Sequence, residues 1–199
     1  MRGSPRALLK ILMVTPHLPP YQAANALLPH VLGVELEKRA HTVSFLTFEA
    51  GGPRRARTAY VRRRTAFRVT RIPQLMEAIE TRRKGLPLIE DADVVHVHSN
   101  TWMNQVAARL AFGRGKPYIL THYGTEIWHH DGTNRAFKTL NRNAQHVTFY
   151  SAGLLSRARE LDVPLPESSV VYPAVDILFS PLAPPEREAV RAPLVGTGE

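Results

Sequence analysis

Short apolar runs rich in β-forming residues alternate along this chain with segments of helical periodicity, and that alternation limits the fold more than any other feature. Leu8-Leu9-Lys10-Ile11-Leu12-Met13-Val14 stops at Thr15-Pro16, Val94-Val95-His96-Val97-His98 stops at Ser99-Asn100, and Tyr118-Ile119-Leu120-Thr121 runs into His122-Tyr123-Gly124. Near-continuous apolar runs of this length are what strands covered on both faces require. Further strands are predicted over 42–48, 67–72, 147–150 and 170–172, with an arginine-rich loop ahead of the second of these. Helices are predicted from Asn25 onward and over 74–84, 100–112, 134–143 and 152–161. In the first of them Asn25 is expected to act as the cap, Pro29 falls near the first turn, and Leu28, Val31, Leu32 and Leu36 recur at helical spacing. Strands that alternate with helices of roughly ten to fifteen residues build a parallel sheet. The expected class is therefore α/β, a Rossmann-like doubly wound parallel sheet with helices on both faces.

A chain of 199 residues suits one domain of ordinary size, expected here over 1–180. Past Ser180, the residues Pro181, Pro184, Pro185 and Glu186-Arg187-Glu188 read as a linker over 181–199. Pro193-Leu194-Val195-Gly196 then reads as the opening strand of a further domain. The absence of cysteine removes disulfides, thiolate metal sites and cysteine nucleophiles, and a cytoplasmic setting is expected. The basic opening Met1-Arg2-Gly3-Ser4-Pro5-Arg6 is followed by an apolar run that Lys10 interrupts, without the small-residue cleavage site of a signal peptide. No stretch reaches the roughly 18 uninterrupted apolar residues of a membrane span.

The formal charge of +9 sits in one place. Residues 54–84 carry ten arginines and Lys84 against Glu77 and Glu80, so this segment accounts for the whole excess. Arg62, Arg63 and Arg64 are adjacent and stand among Tyr60, Val61 and Phe67, a grouping that fits an anionic partner such as an acidic membrane surface or an anionic acceptor. Nucleic acid is not expected, because the stretch has little of the aromatic interleaving of a single-strand binder and no DNA-reading motif.

In an open parallel sheet, ligands bind outside the carboxyl ends of the strands. Four segments converge on that crest: the loop after the first strand, from Pro16-His17 to Asn25; His98-Ser99-Asn100; His122-Tyr123-Gly124-Thr125-Glu126; and Tyr150-Ser151. Three histidines on one sheet edge exceed what packing needs, and together they make the crest the candidate site. His17, His98 and His122 lie on separate loops with no short-range ligand spacing, so no metal is expected there. Asp91-Ala92-Asp93 precedes its strand and falls at the amino edge, where a structural role is expected. His96 alternates with Val95 and Val97 and reads as a packed histidine with one hydrogen bond. No Gly-x-Gly-x-x-Gly and no Gly-x-x-x-x-Gly-Lys is present, so dinucleotide and P-loop readings lack their main support.

The stretches "KILMVTPHLPPYQAANALLPHVLGVELEKRAHTVSFLT", "ADVVHVHS", "KPYILTHYGTEIW" and "VVYPAVD", in that order, resemble the amino-terminal domain of the family-four (group one) glycosyltransferases, from about Lys10 to Pro181. That resemblance implies the amino-terminal half of a GT-B fold and a retaining, metal-independent transferase without a cofactor. Such an enzyme moves a sugar from a UDP- or GDP-linked nucleotide-sugar donor to a lipid-linked or polysaccharide acceptor. It also implies that this half binds mainly the acceptor, that the donor rests largely on a second domain, and that the fragment alone is inactive. A peripheral position at the cytoplasmic face of the membrane fits that reading.

By the same resemblance, His122 and Glu126 are the catalytic candidates, with His122 over the donor sugar and Glu126 orienting it or binding hydroxyls. Ala23, Ala24 and Asn25 fall where the family approaches the donor phosphates, and Gly124, also a donor-binding candidate, keeps the turn close to the donor sugar. His17, Tyr21, His98, Asn100, Tyr123 and Arg62, Arg63 and Arg64 are the acceptor-binding candidates. Ala23-Ala24-Asn25 replace the family's usual Gly-Gly, a departure at the point of phosphate approach. On this reading His122→Ala lowers turnover with little loss of fold stability. The rival reading is a stand-alone, non-catalytic α/β module that binds anionic partners through the arginine-rich segment.

Overall fold

The computed structural model describes residues 7–49, 54–64, 72–130, 132–173 and 183–195. Seven strands, β1 (Lys10–Val14), β2 (Thr42–Phe48), β3 (Thr58–Val61), β4 (Val94–His98), β5 (Tyr118–His122), β6 (His146–Phe149) and β7 (Ser168–Val170), form one sheet in the order β3-β2-β1-β4-β5-β6-β7. Every pairing is parallel. The intervening helices are α1 (Ala24–Lys38), α2 (Ile72–Asp91), α3 (Trp102–Gly113), the single turn α4 (Thr125–Trp128), α5 (Arg135–Arg142) and α6 (Ala152–Glu160). A last helix, α7 (Pro184–Val195), follows the sheet. This is the Rossmann-like, doubly wound sheet expected from the sequence.

The alternation of side chains along β1 shows why both faces must be covered. Leu12 and Val14 enter one core with Leu46, Val95, Val97, Leu120 and Val147, whereas Ile11 and Met13 enter the other with Val43 and Phe45. A strand with two dry faces has to be apolar at nearly every position, and β1 is.

Three segments depart from the sequence reading. The expected strand over 67–72 lies outside the described residues except for Ile72, which opens α2, and the third strand comes instead from Thr58–Val61 within the arginine-rich stretch. Its four residues have β-propensity of their own. Lys84 of α2 ties the strand in by donating to the Tyr60 carbonyl while pairing with Glu80 at 2.7 Å. Residues 184–195, read as linker and strand, form α7 instead. Pro184 and Pro185 occupy its first turn, where a missing N–H costs nothing, and the Ala183 N–H donates to the Glu186 carboxylate at 3.2 Å.

The third departure is the packing of α1. Its buried residues are the small Ala26, Pro29 and Gly33, while Val31 and Leu32 are exposed. A Cβ at Gly33 would stand 2.6 Å from the Phe45 ring, so only a glycine lets the helix cross β2 this closely. Asn25 is not the cap either. The cap position is Ala23, without a side-chain bond, and Asn25 Oδ1 is buried without a partner among the described residues.

Pro29 lies inside α1 and cannot donate to the carbonyl four residues earlier, that of Asn25. The Thr15 hydroxyl, fully buried at the end of β1, donates to that carbonyl instead. Thr15→Val should therefore lower unfolding free energy by about 1–2 kcal/mol in urea titrations. In a Pro29→Ala background, where residue 29 regains its N–H, the same change should cost clearly less. Equal costs in both backgrounds would show that the hydroxyl does not replace the missing donor.

Candidate functional site

The strand order turns around between β1 and β4: the chain builds outward to β3 on one side and to β7 on the other. Loops leaving β1 and β4 therefore part at the crest, and the cleft beside that point opens between the loops after β4 and β5. Asn104, buried in α3, bridges the point where they part. Its amide donates to the carbonyls of Val14 at 3.5 Å, Ser99 at 3.3 Å and His98, and its Oδ1 accepts from Thr101 at 2.7 Å. Thr101 in turn caps α3. Ser99 sits at φ 75°, a left-handed conformation uncommon outside glycine, where the chain swings from β4 toward α3.

After β5 the chain makes an equally constrained turn. Gly124 has φ 153°, in a region that L side chains rarely adopt, and it starts the single turn of α4. That turn brings Glu126 back over its own entry. The carboxylate accepts from the Tyr123 N–H at 2.9 Å and from the Gly124 N–H at 3.3 Å. Burial alone would raise the Glu126 carboxyl, but the neighbouring His122 ring and the Tyr123 N–H outweigh it and hold the group below its ordinary value. Glu126 is thus an ionised, backbone-anchored carboxylate at the rim of the cleft.

His122 lies one layer behind it. Its side chain is fully buried between the rings of Phe137 and Phe149, each with its centroid 5.4 Å away. Asn141 donates from its amide to the Phe137 carbonyl at 3.0 Å, which turns Oδ1 toward His122 Nε2 at 2.8 Å. Nε2 is therefore the donor in that bond. Nδ1 is left without a hydrogen-bond partner, 3.6 Å from Glu126 Oε1. The sequence reading placed this imidazole over a bound sugar, whereas the structure places it in the core with Glu126 nearer the cleft. Truncation to alanine would open a cavity, so His122→Ala is expected to cost about 2–4 kcal/mol of stability, contrary to the sequence expectation.

The remaining candidates fall into three groups. The buried His98 pairs with the half-buried Tyr123: the Tyr123 hydroxyl donates to His98 Nδ1 at 2.8 Å, and His98 Nε2–H faces the Met13 sulfur at 3.4 Å. Burial, reinforced by Tyr150 and Glu126, raises the Tyr123 phenol and keeps it a donor. Asn100 accepts from Gln105 at 3.0 Å and lines an open depression of about 400 Å³ with Ser99, Thr101, Thr125, Glu126 and His129. On the other side of β1, His17 stacks on Tyr21 with ring centroids 4.6 Å apart, at the start of the loop that leads to Ala23, Ala24 and Asn25.

Arg63 stands near His17 and 5.7 Å above the Phe48 ring, whereas Arg62 and Arg64 point into a second depression of about 640 Å³ beside Glu49, Met76 and Arg83. Part of the basic charge is spent internally: Arg55 pairs with Glu37 at 2.7 Å, and Arg64 stands 3.9 Å from Glu80.

At the amino edge, Asp93 accepts the Lys10 N–H at 2.8 Å and Asp91 pairs with the Lys10 ammonium at 2.6 Å, the structural role expected there. His96 bonds Thr121 at 2.7 Å. Sequence reasoning missed Asn104 and Asn141. The one signal for Asn141 was its place at i+4 from Phe137 on the buried stripe of α5.

The sequence profile of Glycosyltransferase Family 4 matches residues 30–178, more than half of the chain. The protein therefore belongs to that family. No curated protein matches the chain. Among solved structures it is similar to sucrose-phosphate synthase (tll1590) from Thermosynechococcus elongatus, with a TM-score of 0.62 and 10% identity over 93% of this chain and 53% of that one. It is also similar to Anabaena Alr3699/HepE in complex with UDP-glucose, with a TM-score of 0.58 and 17% identity over 94% of this chain and 50% of that one. A third is a putative UDP-N-acetylglucosamine 2-epimerase from Listeria monocytogenes, with a TM-score of 0.57 and 13% identity over 77% and 42% of the two chains. Identities this low speak for the fold, and the chain spans about half the length of these proteins.

The buried histidines make acid stability a readout of the site. Burial lowers His96 to about 4, and burial together with His96 lowers His98 well below its ordinary value. Between these values and about 6.5 the unfolded chain binds protons that the folded chain does not. Stability is therefore complete above about pH 6.5 and should fall as pH drops toward 4, by up to about 1.4 kcal/mol per pH unit for each histidine. Urea midpoints measured from pH 7 to 4.5 should show this decline, and His98→Gln should flatten it. A midpoint independent of pH would contradict the assignment.

Proposed function

We propose that the chain is the acceptor-binding half of a retaining, metal-independent glycosyltransferase that uses a UDP- or GDP-linked sugar and a lipid-linked or polysaccharide acceptor. Membership of Glycosyltransferase Family 4 supports the reaction class. The Anabaena HepE structure is a complex with UDP-glucose, which favours a uridine nucleotide for the donor. The observation that carries the reading is the ionised Glu126, held by two backbone N–H groups at the edge of a polar depression of about 400 Å³, ample room for a sugar ring.

In this reading Glu126 accepts hydroxyl groups of the sugar, and Asn100 and Thr125 supply further polar contacts. His122 acts through Glu126: its unpaired Nδ1 faces the carboxylate, and its place between two phenylalanines fixes the turn that carries Gly124 and Glu126. Transfer on the front face builds positive charge at the sugar and negative charge on the departing diphosphate, so oriented groups contribute more than a strong base. Arg62 and Arg64, with Arg83, suit the anionic part of an acceptor or an acidic membrane surface. A cytoplasmic enzyme working at the membrane face fits these partners. Among the described residues no helix is long and apolar enough to cross a membrane.

In a two-domain enzyme that carries this chain, Glu126→Gln should lower kcat/KM by about a hundredfold, and because one of the two oxygens that accept backbone N–H groups becomes an NH2, it should also lower the melting temperature by about 2–4 °C while leaving the fold intact. Unaltered kcat/KM would remove Glu126 from the site.

A further inference from the structure

Helix α2 separates two kinds of surface. Glu77, Thr81, Gly85 and Ile89 recur every four residues and are buried against the protein, where the Arg64 N–H approaches the Glu77 carboxylate at 3.5 Å. The opposite stripe consists of Ile72, Leu75, Met76, Ile79, Arg82 and Arg83. Its apolar members are open to solvent, with Ile72 60%, Leu75 60% and Ile79 59% exposed. Glu77 thus faces inward and Glu80 lines the neighbouring depression with Arg62, Arg64 and Arg83, while large apolar groups and guanidiniums face out.

Trp102, the first residue of α3, extends this surface. Its indole N–H donates to the Gln74 carbonyl at 3.0 Å, which fastens the start of α3 to the start of α2 and leaves the ring 38% exposed. The Arg109 guanidinium lies 5.8 Å from the ring centroid. A groove of about 620 Å³ runs between Ile72, Leu75, Ala78 and Trp102. It adjoins one of about 340 Å³ that shares Ala78 and Trp102 and adds Ile79, Arg82 and Arg109. No carboxylate lines either groove, and neither Arg82 nor Arg109 forms an ion pair among the described residues.

A contiguous apolar patch on a soluble domain marks a contact surface. Here the patch is flanked by arginines that form no ion pair among the described residues, and it is anchored by a tryptophan held at its polar end. A polyanion would leave the isoleucines and leucine wet. An anionic bilayer satisfies all three features, because its headgroups attract cations, its acyl boundary accepts the apolar side chains, and tryptophan is enriched between the two.

We propose that the α2–α3 face is the surface by which the protein docks on an anionic lipid bilayer. This rests on the membrane part of the reading above and moves the contact from Arg62–Arg64 to Ile72, Leu75, Ile79, Arg82, Trp102 and Arg109. Both helices begin at the crest, and Trp102 follows Thr101, which lines the depression beside Glu126. Docking in this orientation sets the sugar-sized depression next to the headgroup layer, within reach of an acceptor whose lipid stays in the membrane.

The test is co-sedimentation of the chain with phosphatidylcholine vesicles made with and without phosphatidylglycerol, together with Trp102 emission in a Trp128→Phe background. Binding to the acidic vesicles is expected, with a blue shift of Trp102 and loss at high salt. Leu75→Ser with Ile79→Ser, or Arg82→Gln with Arg109→Gln, should lower the partition coefficient roughly tenfold or more, whereas Arg62→Gln with Arg63→Gln and Arg64→Gln should lower it less. The substituted groove residues are surface side chains, so circular dichroism should confirm intact folding of every variant. Failure of the unaltered chain to bind acidic vesicles at low salt would overturn both the docking surface and the membrane reading. Binding abolished by the Arg62–Arg64 changes alone would keep the membrane reading and overturn the α2–α3 surface. A dimer dissolved by Leu75→Ser and Ile79→Ser, without vesicle binding, would overturn the lipid assignment and give the groove to a second copy of the chain.

Discussion

Between β1 and β4 the chain reverses the direction in which it extends its sheet, and the loops leaving these adjacent strands go opposite ways. The gap that results would expose the last carbonyls of both strands if nothing filled it. One buried amide, that of Asn104, reaches carbonyls from each and joins the two halves of the sheet where their loops part. Thr101, Ser99 and His98 take their places around it. The site is therefore a product of topology before it is a product of chemistry.

Chemistry enters at the neighbouring strand. Gly124 adopts a backbone conformation denied to most residues, and only through it can Glu126 fold back to collect two N–H groups. An anchored carboxylate has little freedom left, which is useful to a group that must hold a sugar in one orientation. The fully buried imidazole behind it contributes position without touching the cleft. A histidine at the end of a strand need not be the residue that meets the substrate.

The period of the apolar pattern made the sheet, its parallel sense and the crest legible. β2 matches its expected bounds and the crest segments lie where strand ends put them. Three things were not legible, each for a physical reason. Hydropathy treats Gly33 as a gap and Val31 as core, but a close helix crossing rewards the residue with no side chain. A run of arginines hid the four residues of β3, because flanking charge carries no information about the strand between. The depth of His122 depends on Asn141, Phe137 and Phe149, which are distant in sequence, and no local pattern states how far a side chain lies from solvent.

The position of β3 gives the arginine-rich segment a consequence of another kind. A parallel sheet that is not closed ends in two strands with unpaired backbone groups, and such edges invite a second molecule to add its own strand. β7 at one edge has only three residues, which offers little to pair with. β3 at the other is bracketed by Arg54, Arg55 and Arg57 before it and Arg62, Arg63 and Arg64 after it. Two copies meeting there would bring arginines together at the ends of the new ladder. The same residues that give the protein its basic character thus flank the terminal strand of the sheet among the described residues.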